Sequence, residues 1–157
     1  MGVANSWKPI MSSTLPEPII RGYELREEIG VGAFGAVYKA YQPVVGREVA
    51  VKIILPQYAN QPEFIRRFEA EAQIVARLEH PHIVPLYDYW RDPDGAYLVM
   101  RWLRGGSLQA ALANGPLSLD SAVTIIEQIS AALSAAHRQG IVHKDINWTF
   151  DIVNRTQ

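Results

Sequence analysis

The residues best suited to chemistry lie in three places along the 157-residue chain. The first is Gly30-Val31-Gly32-Ala33-Phe34-Gly35-Ala36-Val37, a run with glycine at the first, third and sixth positions. Glycine lets backbone N–H groups approach phosphate oxygens without a side chain in the way. The second is Lys52, inside the apolar run Val49-Ala50-Val51-Lys52-Ile53-Ile54. An ammonium in such surroundings calls for a partner charge. The third is Glu71, which helical spacing places on one stripe with Phe68, Ala72, Val75 and Leu78. Lys52 and Glu71 each lack a natural partner without the other, so the residues point to an ion pair between them. Plainer readings exist for the first two: a glycine-rich hairpin turn, and a lysine snorkelling to water from an edge strand.

These residues need strands on both sides of the glycines. Tyr23–Ile29 and Ala36–Tyr41 carry strand-forming residues, and Glu48–Leu55 reads as a buried strand. Pro56–Gln61 reads as a loop, and a helix is expected over residues 63–79, closed by His80-Pro81. Leu86–Trp90 and Ala96–Met100 flank Asp92-Pro93-Asp94-Gly95, a hairpin signal. Ser107 is placed to cap a short helix through about Ala113, and the apolar stripe Ala122, Ile125, Ile126, Ile129, Ala132, Leu133, Ala136 marks a long helix ending near Gly140. Five strands, one helix inserted after the third, then helix, make an α+β arrangement.

Context narrows the glycine motif. A dinucleotide fingerprint opens a helix at its third glycine, whereas here Ala36–Tyr41 continues as strand. A Walker loop requires Gly-Lys-Ser/Thr, which the chain lacks. Composition sets outer bounds. The chain has 15 basic and 16 acidic side chains, a net charge of −1, which argues against a nucleic-acid-coating protein. It has no cysteine, hence no disulfide or thiolate chemistry. No apolar stretch is long enough to span a membrane, and residues 1–20 lack a signal-peptide core. A cytoplasmic location is the expectation.

The ordered set, extended by His80-Pro81-His82-Ile83-Val84, Tyr97-Leu98-Val99-Met100 and His143-Lys144-Asp145, resembles the N-terminal lobe of a protein kinase of the bacterial serine/threonine type, over about Arg21 to Asp145. The resemblance implies an N-lobe of five antiparallel strands and one helix, followed by the first helices of an incomplete C-lobe. It divides the chain into a flexible leader (1–20), N-lobe and hinge (21–103), the start of the helical C-lobe (104–146) and a divergent tail (147–157).

It also implies roles. Gly30, Val31, Gly32, Ala33, Phe34 and Gly35 would cover the phosphates of ATP, and Val37 and Ala50 would sandwich the adenine. Lys52 would hold the α- and β-phosphates, oriented by Glu71. Met100 resembles the gatekeeper, and Trp102 lies in the hinge segment whose backbone would bond the adenine. Asp145 would accept the proton of a protein Ser/Thr hydroxyl. ATP and a protein substrate are the implied partners, with Mg²⁺ as the implied metal.

The resemblance ends abruptly. Lys144 stands where the family has arginine, Asn147 where it has a lysine, and Phe150 where it has a metal-binding asparagine. Phenylalanine offers no oxygen to Mg²⁺. Asp-Phe-Gly is absent from the 157 residues, so the family's metal ligands are missing from this chain. From Trp148 onward the agreement is gone, which suggests a frameshift, a truncation or a true pseudokinase. The expectation is an ATP-binding, catalytically incompetent fragment, with a nucleotide-binding scaffold as the alternative.

Overall fold

Arg21 and Gly22, both at positive φ (48° and 84°), fold the chain back on itself at the first strand pair. Two consecutive positive φ values give the tight hairpin turn that matches strand twist. The turn pairs β1 (Ile19–Ile20) with β2 (Tyr23–Gly32), Ile20 opposite Tyr23 and Ile19 opposite Glu24. These strands belong to a computed structural model that describes residues 18–142.

The sheet continues through β3 (Gly35–Gln42), β4 (Arg47–Ile54), β5 (Leu86–Asp92) and β6 (Gly95–Arg101), in the order β1-β2-β3-β4-β6-β5. Every neighbouring pair is antiparallel. The α+β expectation holds, but the strand count rises from five to six. The extra strand takes Ile19 and Ile20 from the expected leader.

Alternation splits the sheet into two faces. One buries Tyr23, Leu25, Tyr38, Val49, Val51, Trp90, Tyr97 and Val99 in a single cluster. Within it the Trp90 ring lies against Tyr97 at 4.7 Å and stacks with Tyr23 at 6.0 Å. The other face carries Ile54 and Ala96, packed with Ala59 and Phe68 and flanked by Tyr58, Phe64, Tyr89 and Leu98.

Helices α1 (Pro56–Ala59) and α2 (Pro62–Ala76) lie on this second face. The expected loop at 56–61 thus contains one helical turn, closed by the Tyr58 and Ala59 amides bonding to Leu55 O at 3.0 and 2.9 Å. Helix α2 ends three residues before the expected position. It docks through Phe68, whose ring meets Tyr89 edge-on at 6.2 Å. After β6, α3 (Leu108–Ala113) starts with Ser107 Oγ accepting from the Ala110 amide at 3.1 Å. Helix α4 (Leu119–Arg138) is capped in the same way by Ser118. Its expected stripe is half-buried at Ala122, Ile125, Ile129, Ala132, Leu133 and Ala136. Ile126, also expected on that stripe, is exposed instead, because it lies one residue, about 100°, around the helix from Ile125; Leu119 and Val123 are exposed too.

Candidate functional site

Register brings five of the predicted residues, Gly30, Val37, Ala50, Lys52 and Met100, into neighbouring rows of the sheet. Gly30 pairs with Val37, Val37 with Lys52, and Lys52 with Leu98, a single row across four strands. The next row runs Lys39, Ala50, Met100. Strand alternation puts Val37, Ala50, Lys52 and Met100 on the face that also carries α2. Ala50 is buried, Val37 and Met100 are half-buried, and Lys52 is exposed. The floor is therefore apolar, with one ammonium standing out of it.

The glycine run forms the β2–β3 hairpin, with Gly32 opposite Gly35 and Ala33-Phe34 as its tip. A Cβ at Gly35 would collide with the Ile53 carbonyl, so glycine is required there for strand packing. At Gly30 a Cβ would meet nothing, and at Gly32 only the Gly35 oxygen at 3.9 Å. These two positions leave open space of the kind a phosphate group needs. The tip is tied down at Phe34. Its carbonyl accepts from the Leu55 amide at 2.9 Å, and its ring meets Tyr58 edge-on at 5.1 Å. Val31 and Phe34 are otherwise exposed.

The Lys52–Glu71 pair expected from the sequence is not formed. Among the described residues no ion pair joins them, and both are exposed. The physical reason lies in how α2 docks. Phe68 and Ala72 are its buried residues, and Glu71 sits on the flank of that stripe, turned to solvent. Lys52 does share the apolar strand's second face, but that face is open at this point, so the ammonium keeps its water.

Trp102 follows the end of β6 and is half-buried. Its ring lies 5.8 Å from Lys39 Nζ. Lys39 is held in turn by Glu48 Oε1 at 2.7 Å, and Arg104 reaches the other oxygen, Glu48 Oε2, at 2.9 Å. The hydrogen bond from Lys39, with the charges of Lys39 and Arg104, holds the Glu48 carboxyl below the usual carboxylate range. Reading the sequence missed this cluster. Counting register from the Gln42–Gly46 turn would have put Lys39 and Glu48 on the same face, but Arg104 comes from a loop 56 positions away.

Asp145 lies outside the described residues, as do His143, Lys144, Asn147 and Phe150. Among the described residues no group of three or more His, Asp or Glu could hold a metal ion. None of the described helices is long and apolar enough to cross a membrane.

Comparison with known proteins agrees with this geometry. Residues 23–148 match the protein kinase domain family. The serine/threonine-protein kinase PrkC of Bacillus subtilis is 45% identical over 125 residues, covering 79% of this chain and 19% of PrkC. The serine/threonine-protein kinase PknD of Mycobacterium tuberculosis is 42% identical over the same length, again 19% of the relative. The chain thus spans about a fifth of the length of these relatives. Among solved structures, the Mycobacterium tuberculosis PknI kinase domain superposes with a TM-score of 0.78 at 28% identity, covering 88% of this chain and 56% of that one. Rad53 1–466, solved in complex with AMP-PNP, matches with a TM-score of 0.72 at 30% identity, covering 82% of this chain and 33% of that one.

Proposed function

The chain belongs to the protein kinase family, and we propose that its second sheet face binds ATP as part of a serine/threonine protein kinase. The row Gly30–Val37–Lys52–Leu98 beneath an open glycine hairpin is the observation that carries this proposal. The AMP-PNP complex of the structurally similar Rad53 supports the choice of ligand. The adenine lies between Val37 and Ala50, with its edge toward the backbone near Trp102 and Met100 behind it. The N–H groups of residues 30–35 surround the phosphates, and Lys52 neutralises the α- and β-phosphates. For Glu71 to orient Lys52, α2 has to approach the sheet when nucleotide binds.

In the complete enzyme, the substrate's Ser/Thr oxygen attacks the γ-phosphorus and the bond to the ADP oxygen breaks. The hydroxyl proton passes to the Asp145 carboxylate. Positioning and charge neutralisation supply most of the rate enhancement. The described residues do not fit a Mg²⁺ site. We place the chain in the cytoplasm, with ATP and a protein substrate as its partners.

A second proposal concerns the chain on its own. Asn147 and Phe150, where the family has lysine and asparagine, favour nucleotide binding without turnover, a pseudokinase-type or scaffold module. Thermal shift with ATP–Mg, run beside Lys52→Met, tests binding. A shift in the original chain that Lys52→Met abolishes supports it, and no shift in either sinks it. Radiolabelled phosphate transfer that depends on Asp145 would overturn the proposal of incompetence.

A further inference from the structure

Helix α4 is twenty residues long, yet none of them is buried among the described residues. Helix α2, five residues shorter, buries Phe68 and Ala72. On α4, Leu119 is 79% exposed and Ile126 is 63% exposed, with Val123 exposed beside them. An aliphatic surface of this extent on a helix calls for a partner.

Spacing says what kind of partner. Leu119, Ala122, Ile126, Ile129, Leu133 and Ala136 follow one another at intervals of three, four, three, four and three residues. That is the a/d repeat of a helix packed along its length on another helix. At 1.5 Å per residue the seam is about 25 Å long. Val123 and Ile125 widen it on either side, and no Asp, Glu, Lys or Arg stands in the seam or at the e and g positions flanking it.

The six seam residues complement themselves in reverse. Laid antiparallel about the Glu127–Gln128 bond, Leu119 meets Ala136 of a second copy, Ala122 meets Leu133, and Ile126 meets Ile129. Large faces small in the outer layers and isoleucine faces isoleucine at the centre, so the layers hold similar volumes. Charge agrees with size. Asp120 lies in the first turn of α4, and His137 and Arg138 lie in its last. The antiparallel arrangement brings the acidic end of one copy beside the basic end of the other and opposes the two helix dipoles. A parallel arrangement would set like charges together at both ends and pair Ala122 with itself.

We propose that α4 is a self-association surface, on which two copies of this chain pack as an antiparallel helix pair across a two-fold axis. The proposal uses neither Lys52 nor the glycine hairpin, so it stands apart from the nucleotide proposal.

Sedimentation velocity on the 157-residue chain tests the association. A dimer that dissociates on dilution is expected, and Ile126→Lys should raise its dissociation constant at least about tenfold. Circular dichroism checks that the variant folds, and Ile126 is exposed enough to be replaced without loss of packing. Ala122→Leu and Leu133→Ala should each weaken the dimer, while the double variant recovers most of the loss, because it restores one large and one small side chain to each pair. The chain has no cysteine of its own, so introduced thiols report the direction of packing. Leu119→Cys mixed with Ala136→Cys should give a disulfide-linked dimer under mild oxidation. Leu119→Cys alone should give none, since the antiparallel pair holds the two thiols about 25 Å apart along the axis. Cross-linking of Leu119→Cys alone would overturn the antiparallel pair, as would a double variant weaker than either single one. A monomer at every concentration would overturn the proposal, and a melting temperature lowered by Ile126→Lys in that monomer would assign the face to cover from within its own chain. Association that Ile126→Lys leaves unchanged would place the contact elsewhere and overturn the proposal too. An ATP-induced thermal shift in the same preparation reports separately on the nucleotide site.

Discussion

The ring of Phe34, at the tip of the glycine hairpin, meets the ring of Tyr58 on α1 nearly at right angles, with centroids 5.1 Å apart. This contact joins the hairpin tip of the candidate site to the helix that follows β4. An edge-to-face pair of this kind contributes about 0.5–1.5 kcal/mol beyond its buried area. Phe34→Ala is expected to lower global stability by no more than about 1.5 kcal/mol, because Phe34 is 61% exposed. Amide hydrogen exchange over residues 30–36 should accelerate while exchange in Val49 and Val51 stays slow. Uniform acceleration across the sheet would show that the contact does not act locally.

Gly35 and Gly30 should respond in opposite ways to the same change. Gly35→Ala drives a Cβ into the Ile53 carbonyl, a backbone group that cannot swing aside. A loss of about 1–3 kcal/mol is expected in urea unfolding, the usual range for forced overpacking. Gly30→Ala places its Cβ in open space and should leave the urea midpoint nearly unchanged while weakening ATP binding. Equal stability losses in the two variants would contradict the packing described.

Phe68 anchors α2 to the sheet and is 8% exposed. Phe68→Ala should cost about 3–5 kcal/mol, as other buried aromatic truncations do. Near-ultraviolet circular dichroism should report loss of the Phe68–Tyr89 contact. A Phe68→Leu variant is expected to recover most of the stability, which separates packing volume from ring chemistry.

Acid and alkali should each reveal a separate cluster. The Glu48 carboxyl is held below its ordinary value of 4.5, chiefly by the hydrogen bond from Lys39. Its contribution is complete above pH 4.5 and is lost as pH falls through the lowered folded value. Glu48→Gln should flatten that part of a stability–pH curve measured by urea unfolding. Burial, with the Glu28 hydrogen bond, pushes the Tyr38 phenol up to about 12. Burial, with Asp92 and Asp94 nearby, does the same for Tyr97. The folded chain then binds more protons than the unfolded chain between pH 10 and about 12, so this stabilisation is whole below pH 10 and is lost as pH rises through about 12. Absorbance of phenolate against pH, in Tyr38→Phe and Tyr97→Phe, assigns each transition.

Much of the sheet was legible because strand alternation has a strict period. The run Val49–Ile54 could bury its odd-numbered valines only by turning Ala50 and Lys52 the other way, and Val49 and Val51 are indeed fully buried. The glycine hairpin was legible for the same reason, since strand on both sides leaves its tip one place to be. The distance between Lys52 and Glu71 was not. A helical stripe says which residues turn inward, yet not how the helix rests on its sheet, and Phe68 with Ala72 leaves Glu71 on the flank. Strand β1 and helix α1 were missed because two and four residues are too short to show a period. Arg21 at positive φ gave no sign in its residue type.

The two-residue strand β1 also bears on how the chain behaves among its own copies. Without it, the whole ten-residue length of β2 would offer unpaired N–H and C=O groups as a template for another chain. Ile19 and Ile20 occupy the start of that border, and the Leu25 amide is taken by Pro18 O at 3.0 Å. Beyond them the border carries Arg26, Glu27 and Glu28, all exposed, whose charges discourage strand addition. Breaking the Arg21–Gly22 turn would therefore be felt first in aggregation, before it registered in the packing of the sheet.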